Sequence, residues 1–403
     1  MTDVCIIGAG AAGLSLAVML KTEMPTLSVC LLEASDRVGR KLATTGNGRC
    51  NISNTNISAE RYHGDREFAE KILSRFGVSK QREFFRGIGI DFAELEEGKL
   101  YPRSLQATSV VDALRFKCDE LGVETKLNSK VTAIKRLDGG FDVVCNNGSL
   151  KSRVVVVATG GKAGGKLGTE DGYTMLKVLG HKIEKVFPSV VQLKTEPYVV
   201  RQLKGIKVMA NVTAVSDNGK RCEFGEVLFC DYGLSGPPVL QVSRLAEGGN
   251  AFVSLDIIPD MTENEIKTEI LRRIELFKDR TVSELLTGFL HKRLGQVLLK
   301  CAGADLNAKV SSLDKSVADK TAKLIKDWRF KVTGTTGFEN AQVTAGGASA
   351  AQFFDNLMSK KAKGLFAAGE VLNVDGDCGG FNLAFAWSSA FAVTLGIKEF
   401  LQQ

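Results

Sequence analysis

The sequence predicts an α/β fold that opens with a βαβ unit and is interrupted by an insertion. Three observations predict it. A glycine turn, Gly8-Ala9-Gly10-Ala11-Ala12-Gly13, stands between an apolar run and a good helix former. A second apolar run follows the helix and ends at Glu33. The glycine-rich style lapses near Val190 and returns near Gly334, as when one domain is inserted into another.

The elements follow in chain order. Val4 to Ile7 is a short continuous apolar run, as buried parallel strands are. Ala11 to Lys21 reads as helix and Leu27 to Leu32 as strand, completing the unit. Arg37 to Ser58 is a long polar loop rich in Gly, Asn, Thr and Ser. Helical patterns cover Arg66 to Phe76, Ser79 to Ile88 and Ser109 to Leu121. Val123 to Val131 and Phe141 to Cys145 read as strands joined across Asp138-Gly139-Gly140. Val154 to Ala158 is an apolar strand ending in Thr159-Gly160-Gly161. The middle region has a β part over 191–260, with a hairpin turn at Asp217-Asn218-Gly219, and a helical part over 261–333. Two capping boxes, Thr262 with Glu265 and Thr281 with Glu284, open helices there. Gly364 to Ala368 is a further strand and Asn382 to Phe400 a closing helix. The split domain is therefore expected at 1–190 and 334–403, around an inserted 191–333.

Bulk properties exclude several classes. The chain has 403 residues, enough for two or three domains with sizeable cores. Its net charge of +7 comes from interspersed signs without a basic tail, so it suits anions such as phosphates better than nucleic acid. Nine cysteines, an odd number with no CxxC, argue against a secreted disulfide framework. No signal peptide or membrane-spanning run is read, and the cytoplasm is the expected location. No cluster has metal-ligand spacing.

The glycine turn carries chemistry. In GxGxxG the first glycine permits the tight turn, the second admits a pyrophosphate to the backbone, and the third packs helix on strand. The helix start at Ala11 and Ala12 offers unpaired amides to the phosphates. Glu33, followed by Ala34, lies where an acid bonds a ribose hydroxyl pair. That fingerprint alone fits NAD or FAD. Just after the acid come Arg40-Lys41 and the loop Asn47-Gly48-Arg49-Cys50-Asn51, whose cations and glycines suit a diphosphate and a flavin ring. The strand ends Thr159-Gly160-Gly161 and Gly369-Glu370 suit positions beside FAD, with Glu370 on ribityl hydroxyls. Asp375 and the turn to Gly380-Phe381-Asn382-Leu383 start the last helix, whose positive end suits a reduced flavin. Val131 completes the expected cofactor residues.

These stretches, with GRKLATTGNGRCNISN at 39–54, YPRS at 101–104, GTEDGYTMLKVLGH at 168–181, GEVLFCDYGLSGPPVLQVS at 225–243 and GLFAAGEVLNVDGDCGGFNLAFAWSS at 364–389, resemble the bacterial aminoacetone oxidase family, which includes dehydro-bile-acid reductases. The resemblance runs through nearly the whole chain. It implies a two-dinucleotide-fold-like FAD-binding domain, discontinuous, with an inserted β-barrel-like plus helical domain. Asn373 stands where members often have Asp, and Cys378 where they have Thr or Ser. Cys50 lacks a partner thiol, against a disulfide-reductase mechanism.

The function expected is a flavin-dependent oxidoreductase exchanging hydride between flavin N5 and a small organic substrate, with NAD(P)H as a transient co-substrate. An enone reductase and an amine or aminoketone oxidase compete within that class. An RNA-associated flavoprotein, using cations such as Lys292-Arg293 and 320–331, and a non-catalytic flavin carrier are the alternatives outside it. No catalytic acid or base is identifiable from sequence; His63, His181 and His291 are scattered, and Tyr101 and Arg103 are the residues of a matched motif that face a flavin if any do.

Overall fold

The computed structural model describes residues 1–402. The chain divides into two compact units, one made of residues up to Pro188 and from Phe338 onward, the other of Ser189–Gly337.

In the first unit, β1 (Thr2–Ile7) leads into α1 (Ala11–Glu23) and β2 (Val29–Leu32). Then come α2 (Ala107–Glu120), β3 (Glu124–Lys126), β4 (Val131–Leu137), β5 (Gly140–Cys145), β6 (Gly148–Val157), β7 (Leu365–Ala367) and α3 (Phe381–Leu401). The sheet runs β3-β2-β1-β6-β5-β4, with β7 also on β6. Pairing is parallel among β3, β2, β1, β6 and β7, with Cys5 opposite both Cys30 and Val155. β6 is long enough to serve two neighbours. Its first half pairs antiparallel with β5 and its last residues pair parallel with β7. The parallel part is apolar on both faces because helices cover it: Val4, Cys5, Ile6 and Val154 to Val157 are buried.

α3 is apolar all round and buried along most of its length. Trp387 shows why. Its ring is enclosed, meets Phe85 edge-on at 5.1 Å, and its Nε1 donates to the carbonyl of Ile52 at 2.9 Å. Among the described residues no helix is long and apolar enough to cross a membrane.

The second unit is a closed antiparallel six-stranded barrel with helices packed into the same core. In order around the barrel its strands are Leu193–Thr195, Gly233–Ser235, Gly219–Phe229, Lys207–Ser216, Phe252–Asp256 and Trp328–Thr335. Closure comes from the last strand pairing with the first.

Three sequence expectations are corrected. The run 123–131 is not one strand: β3 ends at Lys126 and a turn precedes β4, because Asn128 takes a left-handed conformation, φ 53°. The hairpin across Asp138-Gly139 therefore joins β4 to β5. The Thr281–Glu284 capping box forms, but it opens only a 3-10 turn, Val282–Glu284. The part read as helical over 261–333 ends in the barrel strand Trp328–Thr335, because alternation of buried Trp328, Phe330 and Val332 with exposed Arg329 and Lys331 has period two.

His181 follows the helix Asp171–Val178, stacks on Phe353 at 4.7 Å, and shares a hydrogen bond with the Ser359 hydroxyl at 2.8 Å. Burial, with help from the Lys361 and Arg136 charges, holds its pKa down to about 4. The imidazole is thus neutral in the fold but titrates near its ordinary 6.5 when unfolded. Between those values the unfolded chain binds the extra proton, so stability falls as pH drops from about 6.5 towards 4. The expected loss reaches roughly 3 kcal/mol at the low end. Urea unfolding across that range checks it, and His181→Gln should flatten the slope.

Candidate cofactor and active site

The site is built where β1, β2, β6 and β7 end. Gly8 has φ 103°, and a Cβ there would stand 2.6 Å from the Ala158 carbonyl oxygen at the end of β6. Gly13 is pressed onto Gly8, where a Cβ would come within 1.9 Å of its carbonyl oxygen. These two glycines are required by the protein's own packing. Gly10 is not: a Cβ there would meet no protein atom within 4 Å. It caps α1 without a side-chain hydrogen bond, and Leu14 is the first helical amide to find a carbonyl, that of Gly10 at 3.0 Å. The amides of Ala11, Ala12 and Gly13 thus form a positive helix end beside an open backbone, the arrangement that receives a pyrophosphate.

Glu33 is fixed beside that turn. One carboxylate oxygen accepts from the Ala9 amide at 2.9 Å, and the other from the Ser35 amide at 2.9 Å and from the Ser35 hydroxyl. A carboxylate has about four acceptor positions, so capacity remains for a ribose hydroxyl. Ser35 was not singled out from sequence. Ala34 lies between these two residues and is exposed. The Val131 side chain is buried at the start of β4, so only its backbone is available there; the nearby Ser129 amide donates to the Glu33 carbonyl at 2.8 Å.

Glu370 gathers three donors from distant stretches. They are the Lys41 ammonium at 2.6 Å, the Gly161 amide at 3.1 Å and the Thr344 amide at 2.8 Å. The pair with Lys41 is partly buried. Thr344, also missed from sequence, accepts from the Ala163 amide at 2.8 Å. Gly369 has φ 75° and its amide donates to the Ser389 hydroxyl at 2.9 Å. Thr159 and Gly160 continue β6, and Gly160 is left-handed with φ 75°.

The loop after Lys41 is irregular. Gly46, Asn47, Gly48 and Cys50 all have positive φ. Asn47, Gly48 and Arg49 are exposed, while Cys50 and Asn51 are buried. Burial pushes the Cys50 thiol up to about 12, so it stays protonated at neutral pH. The Arg49 guanidinium lies 5.3 Å from the centre of the Tyr101 ring. All nine cysteines are free.

At the start of α3, Gly380 is left-handed with φ 97°, and a Cβ there would lie 2.5 Å from the Ser53 carbonyl oxygen. Asn382 clasps the preceding turn: its Oδ1 accepts from the Gly376 amide and its Nδ2 donates to the Gly376 carbonyl, both at 2.8 Å. The Phe381 carbonyl accepts from the Tyr62 hydroxyl at 2.9 Å, and Leu383 lies in the same first turn. Asp375 is fully buried, its backbone paired with His63. Buried Asp377 accepts from His63 Nε2 at 3.0 Å and from the Arg61 guanidinium at 3.4 Å. This anchor was also missed, because nothing in the spacing links residues 61 and 377.

The residues present fit FAD. Gly10 is a cradle that protein packing does not explain. Among the described residues, the buried polar atoms Asn51 Oδ1 and Arg40 Nε have no protein partner, and Asn51 Oδ1 lies beside Gly380. Helix ends at Gly10 and Gly380 suit the diphosphate and a reduced flavin respectively.

Fold and site together define an FAD-binding oxidoreductase. The chain belongs to the family described as HI0933-like protein Rossmann domain, matched over residues 2–396. It is 34% identical over 400 residues to the 3-dehydro-bile acid delta(4,6)-reductase of Clostridium scindens, covering 97% of this chain and 98% of that one. It is 30% identical over 399 residues to the ribosomal RNA dihydrouridine synthase of Escherichia coli K12, covering 97% and 96%, and 29% identical to that of Haemophilus influenzae, covering 98% of each. In architecture it is similar to the 3-ketosteroid delta1-dehydrogenase of Sterolibacterium denitrificans, with a TM-score of 0.51, 13% identity, and 100% and 99% of the two chains covered. What the matches support is the HI0933-like family and its oxidoreductase flavoprotein character; none of these relatives is named for amine oxidation.

Two substitutions separate cofactor from fold. Gly10→Ala should leave the melting temperature of the apoprotein unchanged while flavin content falls, whereas Gly13→Ala should damage the fold itself. Glu33→Ala should weaken FAD binding about tenfold, the worth of one hydrogen bond to a charged group; fluorescence titration of the apoprotein with FAD measures it.

Proposed function

We propose that the chain is an FAD-dependent reductase. It transfers hydride from flavin N5 to a carbon–carbon double bond conjugated to a carbonyl, with NAD(P)H as electron donor. One observation carries the reading. The relatives that match this chain end to end are named for two different substrates, yet both names describe saturation of such a bond. In a 3-keto steroid the ring double bonds are conjugated to the ketone; in uracil the C5–C6 bond is conjugated to the C4 carbonyl.

Bound FAD supplies the two-electron chemistry. The chain supplies position and charge. Gly10 with the α1 amides and Glu33 hold the phosphate and ribose end. Arg40 and the loop 47–51, with Gly160, Gly161 and the Lys41–Glu370 pair, border the middle. The start of α3 at Gly380 to Asn382 presents a helix end that favours negative charge on a reduced ring. The protonated Cys50 thiol takes no part in disulfide exchange. Nine free thiols accord with a reducing cytoplasmic setting.

A small enone is the first substrate reading. A uracil in RNA is the second, and the two synthase relatives favour it. Against a basic RNA-binding face in the helical part stands its charge pairing: Lys267 with Asp319, Lys278 with Glu275, Lys326 with Asp256 and Arg329 with Asp327.

Anaerobic mixing with NADH and NADPH tests the reading. The flavin absorbance should bleach with one of them and return when a 3-keto-Δ4 steroid or a uridine-containing ribosomal RNA is added. Bleaching by an amine instead would make the protein an oxidase, and no flavin band after adding FAD would remove the whole assignment. Salt-dependent retention of ribosomal RNA would select the second substrate.

A further inference from the structure

Reduction of a conjugated double bond needs a proton as well as a hydride, and Tyr101 has the placement of a proton donor. It lies on the short strand Lys99–Pro102, held between Ser53–Asn54 and Phe92–Glu94; Tyr101 pairs with Ala93, and Leu100 with Ser53. Its residue is 7% exposed. Its ring lies under the irregular loop, 3.3 Å from where a Gly46 Cβ would stand, with the Arg49 guanidinium over its face at 5.3 Å. Among the described residues no group hydrogen-bonds its hydroxyl, and unlike the enclosed Tyr173 hydroxyl that oxygen stays open to solvent and to a ligand. Tyr62, by contrast, spends its hydroxyl on the Phe381 carbonyl.

The irregular loop covers the Tyr101 ring, and the neighbouring strand Ser53–Asn54 reaches the turn before α3, where Asn54 Nδ2 donates to the Gly379 carbonyl at 2.9 Å. The charged and titratable groups near enough to bias the Tyr101 hydroxyl are Arg49 and Cys50 of the loop, Lys99 on its own strand, and Cys378 of the turn before α3. Burial raises the phenol above its ordinary value, against the opposing pull of Arg49 and Lys99. It therefore stays protonated at neutral pH, and the positive charges beside a phenolate would be Arg49 and Lys99, the latter already paired with Glu97.

We propose that Tyr101 is the catalytic acid of the reduction, an inference that rests on the reductase reading above. Hydride from the reduced flavin adds to the β-carbon of the substrate. The π electrons of the double bond move to the α-carbon and its carbonyl. The α-carbon takes the proton from Tyr101 Oη, giving the saturated carbonyl compound. The phenolate left behind is stabilised by Arg49 and Lys99 and regains a proton from water, while the flavin has lost two electrons.

Tyr101→Phe removes the hydroxyl and keeps the ring under Arg49. The variant should bind FAD and be reduced by dithionite as the parent is. Its reoxidation by a 3-keto-Δ4 steroid or uridine-containing ribosomal RNA should be slower by roughly a hundredfold or more, the usual worth of a positioned acid. On the apoprotein, the ultraviolet difference between parent and variant should show one phenol ionising above pH 10. Equal reoxidation rates, or a phenol ionising below pH 10, would overturn the role of Tyr101 and leave the reductase reading standing. A parent enzyme whose reduced flavin ignores both acceptors would instead overturn the reductase reading, and the acid with it.

Discussion

Backbone meets backbone at the end of β1, and the rest of the site depends on that contact. Gly8 approaches the Ala158 carbonyl and Gly13 approaches Gly8, each closer than any side chain permits. The two contacts draw α1 down onto the ends of β1 and β6. Because α1 is buried against α3, the same approach sets where the terminal helix begins. Gly10, between these packed glycines, is the residue left open. Within six residues two glycines are thus demanded by protein packing and one is not.

Two carboxylates carry the long-range organisation. Glu370 joins Lys41, Gly161 and Thr344, and Asp377 joins Arg61 and His63. Each draws segments from both ends of the chain into one place. Removing a partner from such a buried group leaves charge or hydrogen-bonding capacity unsatisfied, which costs more than the contact itself contributes. The ends of β6 and α3 are therefore held by side chains drawn from distant stretches of the chain.

Much of this was legible in the sequence where local pattern and tertiary demand agree. The strand, glycine turn and helix of residues 2–23 follow from apolar continuity and glycine placement, and the β6 end and the final helix from the same signals. The misreadings share a cause. The break at Asn128 depends on a left-handed residue that composition does not announce. The Thr281 box satisfies a cap without enough helix behind it. Trp328–Thr335 alternates with period two next to a long helical stretch, and its two barrel partners, Phe252–Asp256 and Leu193–Thr195, are both remote in sequence. Sequence gave Glu33 but not Ser35, and Glu370 but not Thr344, because these contacts are set by folding and not by spacing. Tyr101 was visible only as part of a motif. Its unpartnered hydroxyl is a property of the packed molecule.

The split of the first unit has a consequence for how the protein comes to life on the ribosome. Gly8 and Glu33 emerge first, whereas β7 and Gly380 emerge last, after the whole barrel unit has been made. At about 5–20 residues per second, the interval from Glu33 to Gly380 is roughly 20–70 s. During it the barrel unit can complete its own core, while β6 waits without β7 and the apolar α3 does not yet exist. Assembly of the site is thereby tied to chain completion: a nascent or truncated product carries the Gly8–Gly13 turn but lacks the helix start at Gly380, and it leaves exposed the apolar surface that α3 covers.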